Sequence, residues 1–160
     1  VWSIAVESDF DGQGHAVAIA SPNEAGHIVT RVTTHRTMNQ VDERLAEIRA
    51  DHPSLYILVT PGYVDRLTSR FDGLVGQREM VVATQVLQDL FSRTQIRHDG
   101  NIILQEHFAG TRIGMRQGGW VLTSPMGSSG IYAARATAFA ISQAAKTPRG
   151  MATIRSRRRQ

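Results

Sequence analysis

The sequence contains no cysteine, which excludes disulfides and thiolate metal sites. It has no apolar run of the length a membrane span requires and no leader-peptide pattern, so neither a membrane partner nor secretion is expected. It also lacks a glycine-rich phosphate-cradling loop, so a nucleotide-triphosphate site, if one is needed, lies outside this chain. His15, His27, His35, His52 and His107 fall in no recognised metal spacing, and no catalytic triad is supported. Acidic residues are missing from one place in particular. Residues 147–160 carry five of the 18 basic residues and none of the 14 acidic ones, which leaves a body of 13 basic against 14 acidic residues. The net charge of +4 is therefore a property of the tail. An arginine-rich terminus favours phosphates through counterion release, whatever the base sequence; the simpler alternative is a solubilising end.

What is present is a chain of 160 residues, 41% hydrophobic and 20% charged, enough for one domain with a real core. It opens on Val1 rather than methionine, at the edge of a predicted strand, and is expected to be a piece of something longer. Residues 1–146 are expected to form the domain and 147–160 a basic tail.

The first 21 residues organise the rest. They predict a strand, an acidic turn holding Gly12 and Gly14, and a small apolar strand from His15. Ser3, Ala5, Glu7 and Asp9 alternate onto one face, and Ile4 and Val6 onto the other. A carboxylate at the end of a buried first strand is where many metal-dependent nucleases hold their ions. The plain alternative is a hairpin with a solvated acidic tip. Residues 26–34, rich in β-branched side chains, predict a third strand and an antiparallel meander. In residues 37–51, Val41, Leu45 and Ile48 recur at helical spacing behind a Thr37 or Asn39 cap. Residues 54–60, SLYILVT, predict a strand buried on both faces and parallel to a neighbour.

Beyond Pro61-Gly62, the stripe Tyr63, Leu67, Phe71 predicts a short helix. Residues 77–83 predict a further strand, and 84–93 a helix capped by Thr84. Asn101 is expected to cap a helix over 102–113, the pair Gly118-Gly119 to turn a hairpin into Trp120, and residues 131–145 to form an alanine-rich helix. The predicted class is α/β: a mixed five-stranded sheet, three antiparallel strands then parallel ones, with helices on both faces. That is the ribonuclease H-like arrangement.

Five pieces in order then carry a resemblance: Ile4-Ala5-Val6-Glu7 with Asp11 and an alanine-rich second strand; Tyr56 to Thr60 followed by Pro61; Arg97-His98-Asp99-Gly100-Asn101 before Leu104; Gly119-Trp120; and Ala133-Ala134-Arg135-Ala136. With these the chain resembles the C-terminal nuclease domain of the tailed-phage terminase large subunit. The resemblance implies a DNA-packaging role in the cytoplasm of an infected bacterium. It implies an ATPase domain in the same longer chain, the small terminase and the portal as partners, and concatemeric double-stranded DNA as substrate.

It further implies metal-dependent cleavage by Mg2+ or Mn2+, held by acids on the first strand, the central strand and the last helix. Here those positions fall on Glu7, on Thr60 and around Tyr132, so at most one of three acids remains. Asp9 and Asp11 are the further catalytic candidates, and Asp65 would join Glu7 and Asp9 as a metal ligand; Asp99 and His98 are others. Each has an ordinary reading as a turn or helix-end residue. Arg66, Arg70, Arg112, Arg116, Arg155, Arg157, Arg158 and Arg159 are the candidate phosphate contacts. Three readings follow: an active endonuclease; an inactive domain of the same fold used for DNA contact or portal docking; and a scaffold of this fold with no nucleic-acid role.

Overall fold

The computed structural model describes residues 2–116, 118–123 and 130–146. Its centre is a six-stranded mixed sheet. Strands β1 (Trp2–Ser8), β2 (His15–Pro22) and β3 (Ile28–His35) form the expected antiparallel meander. Helix α1 (Met38–Asp51) then crosses to β4 (Leu55–Val59), which runs parallel to β1. Two short parallel strands complete the edges: β5 (Gly73–Leu74) beside β4, and β6 (Ile96–His98) beside β3. The sheet order is β5-β4-β1-β2-β3-β6. Six strands rather than five are present because both edges are too short to leave a period in the sequence.

The two faces of the sheet carry different residue sizes. Ile4, Val6, Val17, Ile19, Ile57 and Val59 point one way and pack on Val41, Leu45 and Ile48 of α1. Thr37 fixes the start of α1: its Oγ1 accepts from Gln40 N at 3.3 Å, and Gln40 Oε1 accepts from Thr37 N at 3.3 Å. That reciprocal pair satisfies amides the helix leaves open. The other face is lined by Ser3, Ala5, Ala16, Ala18 and Ala20, all fully buried. Helix α4 (Tyr132–Lys146) lies on it with alanines of its own, Ala133, Ala136, Ala140 and Ala144. Small side chains on both partners allow a close approach. Helices α2 (Gln77–Ser92) and α3 (Ile102–Ala109) pack around α4 in the same core. A separate hairpin, β7 (Arg112–Arg116) and β8 (Gly119–Thr123), rests on α2, where Leu122 N donates to Thr84 Oγ1 at 3.2 Å.

Several expectations are corrected. Residues 77–83 are not a strand but the first half of α2. Met80, Ala83, Thr84 and Leu87 are its buried residues, a helical period that the β-branched pair Val81-Val82 obscures. Thr84 is not a cap; it sits inside the helix and donates to Met80 O at 2.8 Å, while Glu79 Oε2 accepts from Gly76 N at 2.8 Å at the true start. The stripe Tyr63, Leu67, Phe71 packs on the α1 side as a stripe would, but only Pro61–Tyr63 form a single 3-10 turn. One further turn follows, in which Leu67 N donates to Tyr63 O at 3.0 Å, and after it carboxylates hold the backbone. Asp42 accepts from Ser69 N at 2.8 Å and Asp72 from Ile57 N at 2.9 Å. Asn101 caps α3 as expected, accepting from Ile103 N and Leu104 N, and its Nδ2 donates to Val32 O of β3. The helix ends at Ala109 instead of 113, because Thr111 and Arg112 turn into β7. The tail, with Arg155, Arg157, Arg158 and Arg159, lies outside the described residues.

His107, which no spacing singled out, fixes the start of α4. Its Nδ1 accepts from Ala133 N at 3.0 Å, and its ring meets that of Tyr132 edge-on at 4.8 Å. Burial holds its pKa below 6.5, as it does for His15 and His35.

Two predictions follow from this packing. Ala18→Leu forces α4 off the sheet and lowers unfolding free energy by about 1–3 kcal/mol in urea titrations. The depressed histidines make the folded state bind fewer protons than the unfolded chain just below pH 6.5. Their contribution is therefore complete above that pH and declines as pH falls through it. Thermal midpoints measured from pH 7.5 to 5 should drop, and should drop less in His107→Asn, which keeps an acceptor for Ala133 N–H without the titration.

Candidate functional site

The carboxyl ends of β1 and β4 meet beneath the first turn of α4. Glu7 ends the buried part of β1, with 9% of its side chain exposed. Thr60 follows β4 directly and donates from Oγ1 to Glu7 Oε1 at 3.3 Å. The same oxygen accepts from Ser8 N at 3.0 Å. Glu7 Oε2 accepts from Arg135 Nε at 3.2 Å; the Arg135 side chain is 21% exposed. Positions 7 and 60 and the start of the last helix are thus brought together as the sequence implied. The participant that sequence reasoning missed is Arg135, 128 residues from its partner.

The hairpin between β1 and β2 closes the next side. Asp9 Oδ1 accepts from Gln13 N at 2.8 Å and Oδ2 from Gly14 N at 2.9 Å. Its carboxylate therefore shapes the turn. Gly12 takes a positive φ of 68° there. Gly14 is needed for a different reason: a Cβ on it would lie 2.9 Å from the Tyr132 hydroxyl and 3.1 Å from Asp9 Oδ2. Tyr132 and Asp9 both crowd this glycine, so the side chain at position 132 does reach the hairpin end of the site. Burial, with the Asp9 charge adding to it, raises the pKa of Tyr132, and the phenol stays protonated. Below this layer His15 Nδ1 and the Tyr63 hydroxyl are 2.5 Å apart in the core. Burial first, then the Arg66 charge, lowers the pKa of His15, and the pair is neutral. An open polar groove of about 890 Å3 adjoins the hairpin, edged by Asp9, Gln13, His35, Arg36, Gln40 and Tyr132.

The other expected ligands stand apart from Glu7. Asp11 is exposed at the tip of the turn, and Asp65 is exposed in the turn after Tyr63. Asp99 Oδ1 accepts from Asn101 N, and His98 Nδ1 from Gly100 N, so both serve the loop before α3. Among the described residues no three of His, Asp and Glu are grouped to hold a metal ion. The donor set does not fit a divalent pair. Hard ions require several carboxylate or water oxygens in a near-octahedral shell. Here one carboxylate already accepts three hydrogen bonds, one of them from a guanidinium, and the second is consumed by backbone amides.

Of the expected phosphate contacts, Arg66 lies by the hairpin, its Nη1 3.7 Å from where a Cβ on Gly12 would be. Arg70 is exposed, and its carbonyl accepts from Arg49. Arg112 and Arg116 are exposed on one face of β7, and their guanidiniums donate mostly to nearby carbonyls. No helix among the described residues is long and apolar enough to cross a membrane.

No family model and no curated protein matches the chain. Solved structures do. The HK97 bacteriophage large terminase superposes with a TM-score of 0.72 at 13% identity, over 89% of this chain and 39% of that one. The large terminase nuclease from thermophilic phage G20c with bound magnesium gives 0.64 at 14% identity, over 89% and 81%. The Thermus phage P74-26 large terminase nuclease domain gives 0.64 at 15% identity, over 92% and 82%. This chain thus spans well under half of the HK97 protein and most of the two nuclease domains. At this level of identity the likeness is one of architecture: the chain has the ribonuclease H-like fold of the phage large terminase nuclease domains.

Proposed function

We propose that this chain is the nuclease-type domain of a phage DNA-packaging terminase, with an acidic site that has lost the carboxylates cleavage needs and a role in holding double-stranded DNA. One observation carries the reading. At the point where β1, β4 and α4 meet, Glu7 has Thr60 and Arg135 as side-chain partners in place of further acids. Two-ion hydrolysis requires carboxylates to neutralise the ions that activate water and stabilise the leaving oxygen. A neutral threonine, a protonated tyrosine and an arginine supply none of that charge. The partners this implies are duplex DNA, an ATPase domain of the same longer protein, the small terminase and the portal, in the cytoplasm of the infected host.

DNA contact would fall to the exposed arginines. Arg112 and Arg116 share one face of β7 and lie about 13 Å apart by strand rise. They would contact phosphates and so bind without sequence preference. Arg66 and Arg70 would add contacts from the segment after β4, and the arginine-rich tail more.

A second reading, cleavage with Mg2+ or Mn2+ through Glu7 and Asp9, is favoured by the neighbours solved with bound magnesium and cobalt. One experiment separates the two. Supercoiled plasmid is incubated with the chain and Mn2+ while duplex binding is followed across a salt series. The proposal expects no nicking, together with binding that weakens with salt. Arg112→Ala with Arg116→Ala should lower the salt slope by about 2 on any duplex. Nicking that disappears in Glu7→Gln would establish the second reading, and no duplex binding at low salt would leave a scaffold without a nucleic-acid role.

A further inference from the structure

A carboxylate as enclosed as Glu7 is costly to keep ionised unless a cation accompanies it. In a metal-dependent site of this geometry the cation is the divalent ion. Here Glu7 receives one neutral hydroxyl, one backbone amide and one charged group, the Arg135 guanidinium. Two features mark that arginine as placed for Glu7 and not for its own helix. It lies in the first turn of a 15-residue helix, where the macrodipole disfavours positive charge. And α4 carries no acid of its own, so among the described residues its ion pair is with Glu7, across the sheet-to-helix interface. On the hairpin side Tyr132 and Asp9 crowd Gly14, and the open groove begins beyond them.

We propose that Arg135 is the resident counter-cation of this site: its guanidinium neutralises Glu7 where a divalent ion would otherwise be required, so the fold is complete without metal. The inference rests on the reading of this chain as a terminase nuclease-type domain with a degenerate acidic centre, and it explains how β1 tolerates an acid there. Arg135 is a positioning residue; it holds Glu7 and, through it, the junction of β1, β4 and α4. Removing the guanidinium leaves an enclosed carboxylate uncompensated. Removing the carboxylate as well relieves that penalty, so the two losses should not add.

The test is thermal unfolding of the whole chain in EDTA, in Mg2+ and in Mn2+. The wild-type midpoint should be the same in all three. Arg135→Met should lower it by about 6–20 °C, given the cost of breaking an enclosed pair and the size of the domain. Adding Glu7→Gln to Arg135→Met should recover at least half of the loss. Should Arg135→Met fail to fold, Arg135→Lys, which keeps the charge, should melt between the wild type and Glu7→Gln/Arg135→Met, and a midpoint below that double variant overturns the proposal. A wild-type midpoint that rises with Mn2+, with the rise abolished by Glu7→Gln, overturns the proposal, as does an Arg135→Met midpoint equal to wild type. These readouts are independent of plasmid nicking and duplex binding, so loss of the counter-cation and loss of the packaging assignment are told apart.

Discussion

The contact on which the molecule depends is that between the alanine face of β1 and β2 and the alanine face of α4. Ala5, Ala16, Ala18 and Ala20 present almost no relief, and Ala133, Ala136, Ala140 and Ala144 meet them with as little. A helix can lie that close only where neither partner has a branched or long side chain to accommodate. The depth of α4 then determines the rest. It sets how near Arg135 comes to the end of β1, and it brings Tyr132 against the hairpin. It also provides the surface on which α2 and α3 assemble. The opposite face of the sheet, built from isoleucine and valine against α1, makes an ordinary thick core and places no such restriction.

On that framework the end of the sheet is a self-satisfied polar site. Each carboxylate near it has an internal partner: Glu7 takes a hydroxyl, an amide and a guanidinium, and Asp9 takes two amides of its own turn. His107 secures the helix end from which Tyr132 and Arg135 project. The fold shared with the phage large terminase nuclease domains is thus built here around hydrogen bonds and one ion pair. The sheet itself is stabilised by apolar packing and ladder bonds, which do not require acids at this point.

Much of this was legible in the residues alone. The meander, α1 with Thr37 and its buried Val41, Leu45 and Ile48, the parallel β4, and the alanine-rich last helix all leave clear periods. That positions 7 and 60 meet was implied by the resemblance, and the parallel pairing of β4 with β1 brings it about. What was not legible is instructive. The run QREMVVA looks like a strand because its apolar residues are contiguous, and only the longer spacing Met80, Ala83, Thr84, Leu87 reveals the helix. The edge strands β5 and β6 hold two and three residues, too few for any alternation. Arg135 resembles any solvated helix arginine until the fold brings Glu7 to it across 128 residues. Long-range charge pairing has no local pattern to read, which is why Glu7 was legible as a candidate while its partner Arg135 was not.

The brevity of β5 and β6 has a colloidal consequence. An open sheet is sticky along its outermost strands, where unpaired amides and carbonyls invite another chain to add on. This sheet ends in stubs at both flanks: β6 covers Ile28 to Thr30 of β3, and β5 covers Leu58 and Val59 of β4. The outermost strands themselves therefore offer an incoming chain only a few groups to pair with.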